Sequence, residues 1–212
     1  DSAPTGDAVF AGFFGDRYAG LPHAEEPVWN PAGFFSRFQN FELRRDGIVL
    51  LGLDWSSREH AVPGYKGVNP DADLHDFPGG TIRWLEERLA DLPPGTRRVF
   101  FLQHHPFRTP FPLPTWAATF TSDEGRRFRD ALAAAAPVEL FGGVFAGHVH
   151  RSWRGPAFDE WATFTQVETD ACKETAAVTL VKSRGRRWEP IPAGRVTVIE
   201  FDPDEAFAFR RE

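Results

Sequence analysis

The chain has 212 residues, 42% of them hydrophobic and 25% charged, which is the composition of a globular protein with a core of its own. No run approaches the roughly 18 apolar residues of a membrane-crossing helix, so no membrane span is expected. The net charge of −6 argues against a nucleic-acid partner, and the single cysteine, Cys172, excludes an intramolecular disulfide framework.

Residues 1–45 are rich in Phe, Gly and Pro without a sustained period, and read as irregular structure packed by aromatic side chains. The apolar run Gly47–Asp54 reads as a buried strand. A long polar loop follows from Trp55 to Gly80. Thr81 has the chemistry of a helix N-cap. Behind it Ile82, Leu85 and Leu89, with Trp84, form an apolar stripe at helical spacing that Pro93-Pro94-Gly95 ends. A second buried strand, Val99–Leu102, runs into Gln103-His104-His105-Pro106. A helix is expected to start at Ser122-Asp123-Glu124 and continue to Ala136, and a third apolar run, Leu140–Ala146, delivers Gly147-His148-Val149-His150. Further strands are expected over Ala162–Val167, Ala176–Val181 and Arg195–Phe201, then a turn at Asp202-Pro203-Asp204 into Ala206–Arg210. Strands alternating with helices and then a run of strands imply an α/β (α+β) class, an α/β core extended by antiparallel strands. No repeat or linker divides residues 1–212, which read as a single domain.

Four of the seven histidines stand in two clusters, each directly after an expected strand. In open α/β sheets, sites lie beyond the carboxyl ends of the strands. A right-handed crossover through the helix at 123–136 would bring His104 and His148 to the same end. The spacing of His148 and His150 sends both rings to one side if the backbone there is extended. Gly147, lacking a Cβ, would let the chain approach an ion closely. Pro106 favours extended geometry at His105 and leaves His104 nearest the strand end. Imidazole suits zinc, iron, nickel or copper. His104, His148 and His150 are therefore the candidate metal ligands, with His105 a candidate for binding substrate.

These motifs resemble the second half of the calcineurin-like metallophosphoesterases: strand–His104-His105-Pro106, helix, strand–Gly147-His148-Val149-His150. Ile48–Asp54 is similar to a core strand of that family, and Gly80–Leu89 to the helix before its His-x-Pro strand. The resemblance implies a β-sandwich of two mixed sheets flanked by helices, with the strands from 162 to 210 in the second sheet. It further implies a dinuclear centre of iron, manganese or zinc, with His104 and His148 on one ion and His150 on the other. The implied activity is hydrolysis of a small-molecule phosphomonoester or phosphodiester.

The family's first half carries an Asp-x-His, a Gly-Asp with a further Asp, and an Asn-His. Here Gly6-Asp7 and Gly15-Asp16 have no Asp-x-His upstream, and Asn-His does not occur. Three neutral imidazoles do not balance two divalent ions. With methionine absent and no secretory-type opening, the chain is expected to be incomplete at its N-terminus. The bridging carboxylate and the general acid would then come from an N-terminal fragment of the same precursor or a partner chain. A degenerate relative serving as a binding module is the alternative, and a mononuclear zinc hydrolase using His104, His148 and His150 is a third reading. The compartment is not fixed by the sequence.

Weaker signals have ordinary readings. Asp71, Asp73, His75 and Asp76 lack the glycine and distal glutamate of a calcium loop and read as solvated. Asp54 reads as structural, Arg151 as a surface cation near the histidines, and Cys172 as an inert thiol.

Overall fold

The computed structural model describes residues 28–31, 33–36, 38–57, 72–110, 119–149 and 151–169, together with the backbone of three later strands. Its strands are β1 (Val28–Asn30), β2 (Phe34–Ser36), β3 (Phe41–Arg45), β4 (Ile48–Leu53), β5 (Arg98–Gln103), β6 (Phe141–Ala146), β7 (Trp153–Pro156), β8 (Thr165–Glu168), β9 (Ala177–Ser183), β10 (Arg195–Phe201) and β11 (Arg210–Arg211). The helices are α1 (Thr81–Ala90) and α2 (Ser122–Ala135). The chain is thus mixed α/β.

A six-stranded sheet in the order β3-β4-β5-β6-β8-β7 organises the described residues. Its four central strands, β4, β5, β6 and β8, are parallel, and antiparallel β3 and β7 close the two edges. Side chains alternate between its faces. One face carries Val49, Leu51, Leu53, Val99, Phe101, Phe141 and Val144, all buried against Ile82, Leu85 and Leu89 of α1 and Phe128 and Leu132 of α2. Burying a side chain of this size contributes about 1.5–3 kcal/mol, so this layer is what fixes α1 and α2 over the sheet. Phe100 and Val167, with partly buried Ile48, Leu50 and Phe145, occupy the other face.

The aromatic-rich start is more regular than its composition suggests. Within 28–45 it forms the β1–β2 hairpin and β3, while residues 1–27 lie outside the described residues. Strand β3 turns into β4 through Asp46-Gly47, both at positive φ (52° and 77°). Asp-Gly is the preferred pair for such a tight hairpin, because both central residues must be left-handed.

Helix α1 starts differently from the expectation. Gly80 is its N-cap and Thr81 its first residue. A Cβ on Gly80 would sit 1.9 Å from the His75 carbonyl oxygen, so only glycine fits. The Thr81 hydroxyl instead donates to the Asp54 carbonyl (2.8 Å) and accepts from Asn40 Nδ2 (3.2 Å). Helix α2 opens on a capping box, Thr121 Oγ1 accepting from Glu124 N–H at 3.2 Å and Glu124 Oε2 from Thr121 N–H at 2.8 Å.

The strand expected over Ala162–Val167 forms as Thr165–Glu168, and it lies in the six-stranded sheet parallel to β6, not in a second sheet. Strands β9 and β10 pair in parallel, and β11 joins β10 antiparallel, in a three-stranded sheet. Residues 206–209 and Cys172 lie outside the described residues. No helix among the described residues is long and apolar enough to cross a membrane.

One irregularity sets the register of the centre of the sheet. Phe141 pairs with Val99, but Gly143 pairs with Phe100, so Gly142 is an extra residue in β6. A Cβ on Gly142 would lie 2.3 Å from the Phe100 ring, and one on Gly143 2.2 Å from the Thr165 carbonyl oxygen. Gly143 also has φ 139°, so both positions require glycine.

Candidate metal centre

Parallel strands present their carboxyl ends together, and four chemically capable residues stand at this edge. Asp54 follows β4, His104 follows β5, His148 comes one residue after Gly147 beyond β6, and Glu168 ends β8. The loops are tied at the backbone, Gly147 N–H donating to the His104 carbonyl at 3.0 Å and Thr169 N–H to the Ala146 carbonyl at 3.0 Å.

His104, His105 and His148 converge. His148 Nδ1 lies 2.9 Å from His104 Nε2. Ring centroids are 4.8 Å apart for His104 and His148, 4.6 Å for His105 and His148, and 5.0 Å for His104 and His105. One ring nitrogen from each of the three falls within 4.8 Å of the others. His105 and His148 are buried and His104 is exposed, so the group opens to solvent on one side.

The three imidazoles could hold a metal ion. With metal–nitrogen bonds of about 2.0–2.1 Å, donors on a tetrahedral ion stand about 3.3 Å apart, and donors at right angles about 2.9 Å. The His104–His148 pair already meets the second value, and the largest separation in the group must close by about an ångström or more. Among the described residues no carboxylate joins the group, so a two-ion centre would need donors from elsewhere. His150 lies outside the described residues.

His105 stands inside the imidazole group, where a ring nitrogen of its own can serve as a third donor. Its backbone is held by buried amides. Trp55 Nε1 donates to Gln103 Oε1 (2.9 Å), and Gln103 Nε2 donates to the His105 carbonyl (2.6 Å). Gln166 holds the following residues, its Oε1 accepting from Phe107 N–H (2.8 Å) and its Nε2 donating to the Arg108 carbonyl (2.5 Å).

At His148 the backbone departs from the extended geometry expected of the Gly-His-x-His stretch. Its φ is 77°, and Val149 N–H turns back to the Gly147 carbonyl at 3.0 Å. This is a γ-turn of the strained hand, of a kind that persists only where surrounding structure enforces it. Gly147 itself is not sterically required. A Cβ there would meet His104 at 3.8 Å, an ordinary contact with the surrounding protein.

Glu168 ends β8, one residue beyond the strand end that the sequence pattern predicts at Val167. The residue is 2% exposed, and Oε1 accepts from Val149 N–H at 3.1 Å. Oε2 has no hydrogen-bond partner among the described residues. Desolvation pushes its carboxyl up to about 7, with the Val149 bond opposing that shift. The local sequence offers only an ionisable residue at a strand end; that this strand lies beside β6 is a feature of the tertiary structure.

Other candidates resolve into structure. Asp54 Oδ2 accepts from Gln39 N–H at 3.1 Å and Oδ1 from Ser56 N–H at 3.2 Å, in keeping with a structural role. Asp73-Leu74-His75 has Asp-x-His spacing, but His75 is 1% exposed, its Nε2 is 3.0 Å from the Ser56 carbonyl, and its ring packs 4.6 Å from Phe38. Asp76 pairs with Arg83 and Arg127, each at 2.8 Å. Asp76 is exposed and Asp73 half-buried, as expected of a solvated loop, but His75 is packed beside Phe38; Asp71 lies outside the described residues. Arg151 is exposed. No protein-family model matches the sequence and no curated protein matches it.

Proposed function

We propose that this chain is part of a metal-dependent phosphoester hydrolase of the calcineurin-like metallophosphoesterase kind, with the imidazole group as its metal-holding element. The observation that carries the reading is the 2.9 Å approach of His148 Nδ1 to His104 Nε2, across residues delivered by the adjacent parallel strands β5 and β6. In this reading the six-stranded sheet is one layer of the two-sheet sandwich of that family. Donors completing a dinuclear iron, manganese or zinc centre, and the general acid, would come from chain outside the described residues or from a partner segment. A bound divalent ion supplies a coordinated water of lowered pKa and polarises a phosphoryl oxygen. The chain's own contribution is to hold the donors in place with Gln103 and Gln166 and to leave the His104 side open for a small phosphoester.

A single-ion hydrolase is the second reading, supported by the third imidazole, His105, in the group and by the all-nitrogen donor set. Metal content separates the two. Two ions per chain, with manganese-stimulated hydrolysis of bis-p-nitrophenyl phosphate or p-nitrophenyl phosphate, supports the first reading; one ion with activity supports the second. Assays on this chain and on a version extended upstream of Asp1, both inert and metal-free, would overturn both readings in favour of a non-catalytic binding module.

A further inference from the structure

Glu168 ends β8 at the same sheet edge as the histidines, and no metal-ligand reading uses its contacts. We infer that Glu168 is a positioning residue: by accepting the Val149 N–H it holds the 147–149 turn closed and so presents the His148 ring to His104. Three observations carry this. The first is register, since Glu168 pairs with Ala146 in the β6–β8 ladder. Its side chain lies on the helix-covered face with Ala146, two residues before His148. The second is that Val149 N–H is shared between the Gly147 carbonyl at 3.0 Å and Glu168 Oε1 at 3.1 Å, so the carboxylate reinforces the bond that closes the turn. The third is the positive φ of His148, 77°, a conformation costly for a side chain with a Cβ and sustained only by such outside contacts.

A carboxylate usually orients a ligating imidazole by binding its second ring nitrogen. Glu168 acts one bond removed, on the peptide following the ligand, and fixes the main chain. What it supplies is an acceptor, and a neutral amide oxygen serves as well as a carboxylate. The metal part of this inference rests on the functional reading above, but the turn does not, and the experiment separates them.

The test compares wild type, Glu168→Gln and Glu168→Leu by two measurements. In the metal-free protein, amide hydrogen exchange at Val149 is expected to speed up at least about tenfold in Glu168→Leu, with Val144 amide exchange unchanged, and to stay within about threefold of wild type in Glu168→Gln. In a cobalt(II) titration followed by its visible d–d bands, Glu168→Leu is expected to bind about 10–100-fold more weakly with an altered spectrum, whereas Glu168→Gln keeps the wild-type spectrum. Val149 exchange in Glu168→Leu equal to wild type, or exchange speeded equally at Val149 and Val144, overturns the inference. So does a Glu168→Gln protein that loses tenfold or more in cobalt affinity, and this arm still decides if Glu168→Leu does not fold. Wild type that takes up no cobalt, with Val149 exchange responding as expected, sinks the metal reading and leaves the positioning role supported.

Discussion

His148 Nδ1 and His104 Nε2 stand 2.9 Å apart although 44 residues separate them in the chain. Both nitrogens point into one space because the strands before them are parallel neighbours, and because the Gly147 N–H bond to the His104 carbonyl ties the loops together. Two ring nitrogens this close either share one proton or face one ion.

Replacing either ring, His104→Ala or His148→Ala, is expected to weaken zinc or cobalt binding by two orders of magnitude or more, about 3 kcal/mol or above, measured by competition with a chromogenic chelator. Since His104 is exposed, His104→Ala should unfold within about 1 kcal/mol of wild type. A stable His104→Ala protein that binds metal normally would remove this residue from the centre.

Glu168 makes stability depend on pH in a direction opposite to most carboxylates. Burial raises its folded value to about 7, above the unfolded value of about 4.3. The folded state therefore holds the proton more tightly. Stability from this group is fully present below about pH 4, declines as pH rises toward 7 and is lost above it. In metal-free protein, wild type is expected to lose on the order of 1–3 kcal/mol relative to Glu168→Gln between pH 5 and pH 8, read from urea midpoints. A constant difference across that range would show that Glu168 does not titrate there.

The glycines near the centre should behave unequally. Gly143→Ala places a methyl 2.2 Å from the Thr165 carbonyl oxygen at a φ of 139°, and is expected to cost about 3 kcal/mol or more. Gly147→Ala meets only an ordinary 3.8 Å contact and is expected to change stability by less than about 1 kcal/mol. Thermal unfolding of the two variants side by side checks this.

Asp54 offers a control for the centre. Its carboxylate accepts two backbone N–H groups, from Gln39 and Ser56, and Asp54→Ala is expected to destabilise by about 1–3 kcal/mol while metal affinity stays within threefold. Loss of metal binding in a folded Asp54→Ala protein would mean that Asp54 belongs to the centre.

Much of this architecture is legible in local patterns. The stripe Ile82, Leu85, Leu89 marks α1, and the apolar runs before each histidine pair mark β5 and β6, because both signals depend on near neighbours. The position of His104 and His148 at one sheet edge follows from strand–helix–strand order. Less legible were features made by contacts distant in sequence. Gly80 rather than Thr81 caps α1 because the His75 carbonyl crowds it. β8 enters the main sheet because its edge pairs with β6, which residue type alone does not encode. Glu168 matters only through the Val149 N–H, and no spacing rule links them. The Asp46-Gly47 hairpin, by contrast, carries a local signal strong enough to predict β3, and the aromatic composition around it obscured that signal.

The supernumerary Gly142 has an effect six residues downstream. From that point β6 runs one place out of phase with a regular ladder. Were the ladder regular, His104 would sit opposite Ala146, and His148 would overshoot it by a further residue, about 3.3 Å, with its side chain thrown to the opposite side of the sheet. The width of the Phe100 ring, which leaves room only for a hydrogen at Gly142, thus acts as a vernier that brings the imidazoles into alignment from deep within the sheet.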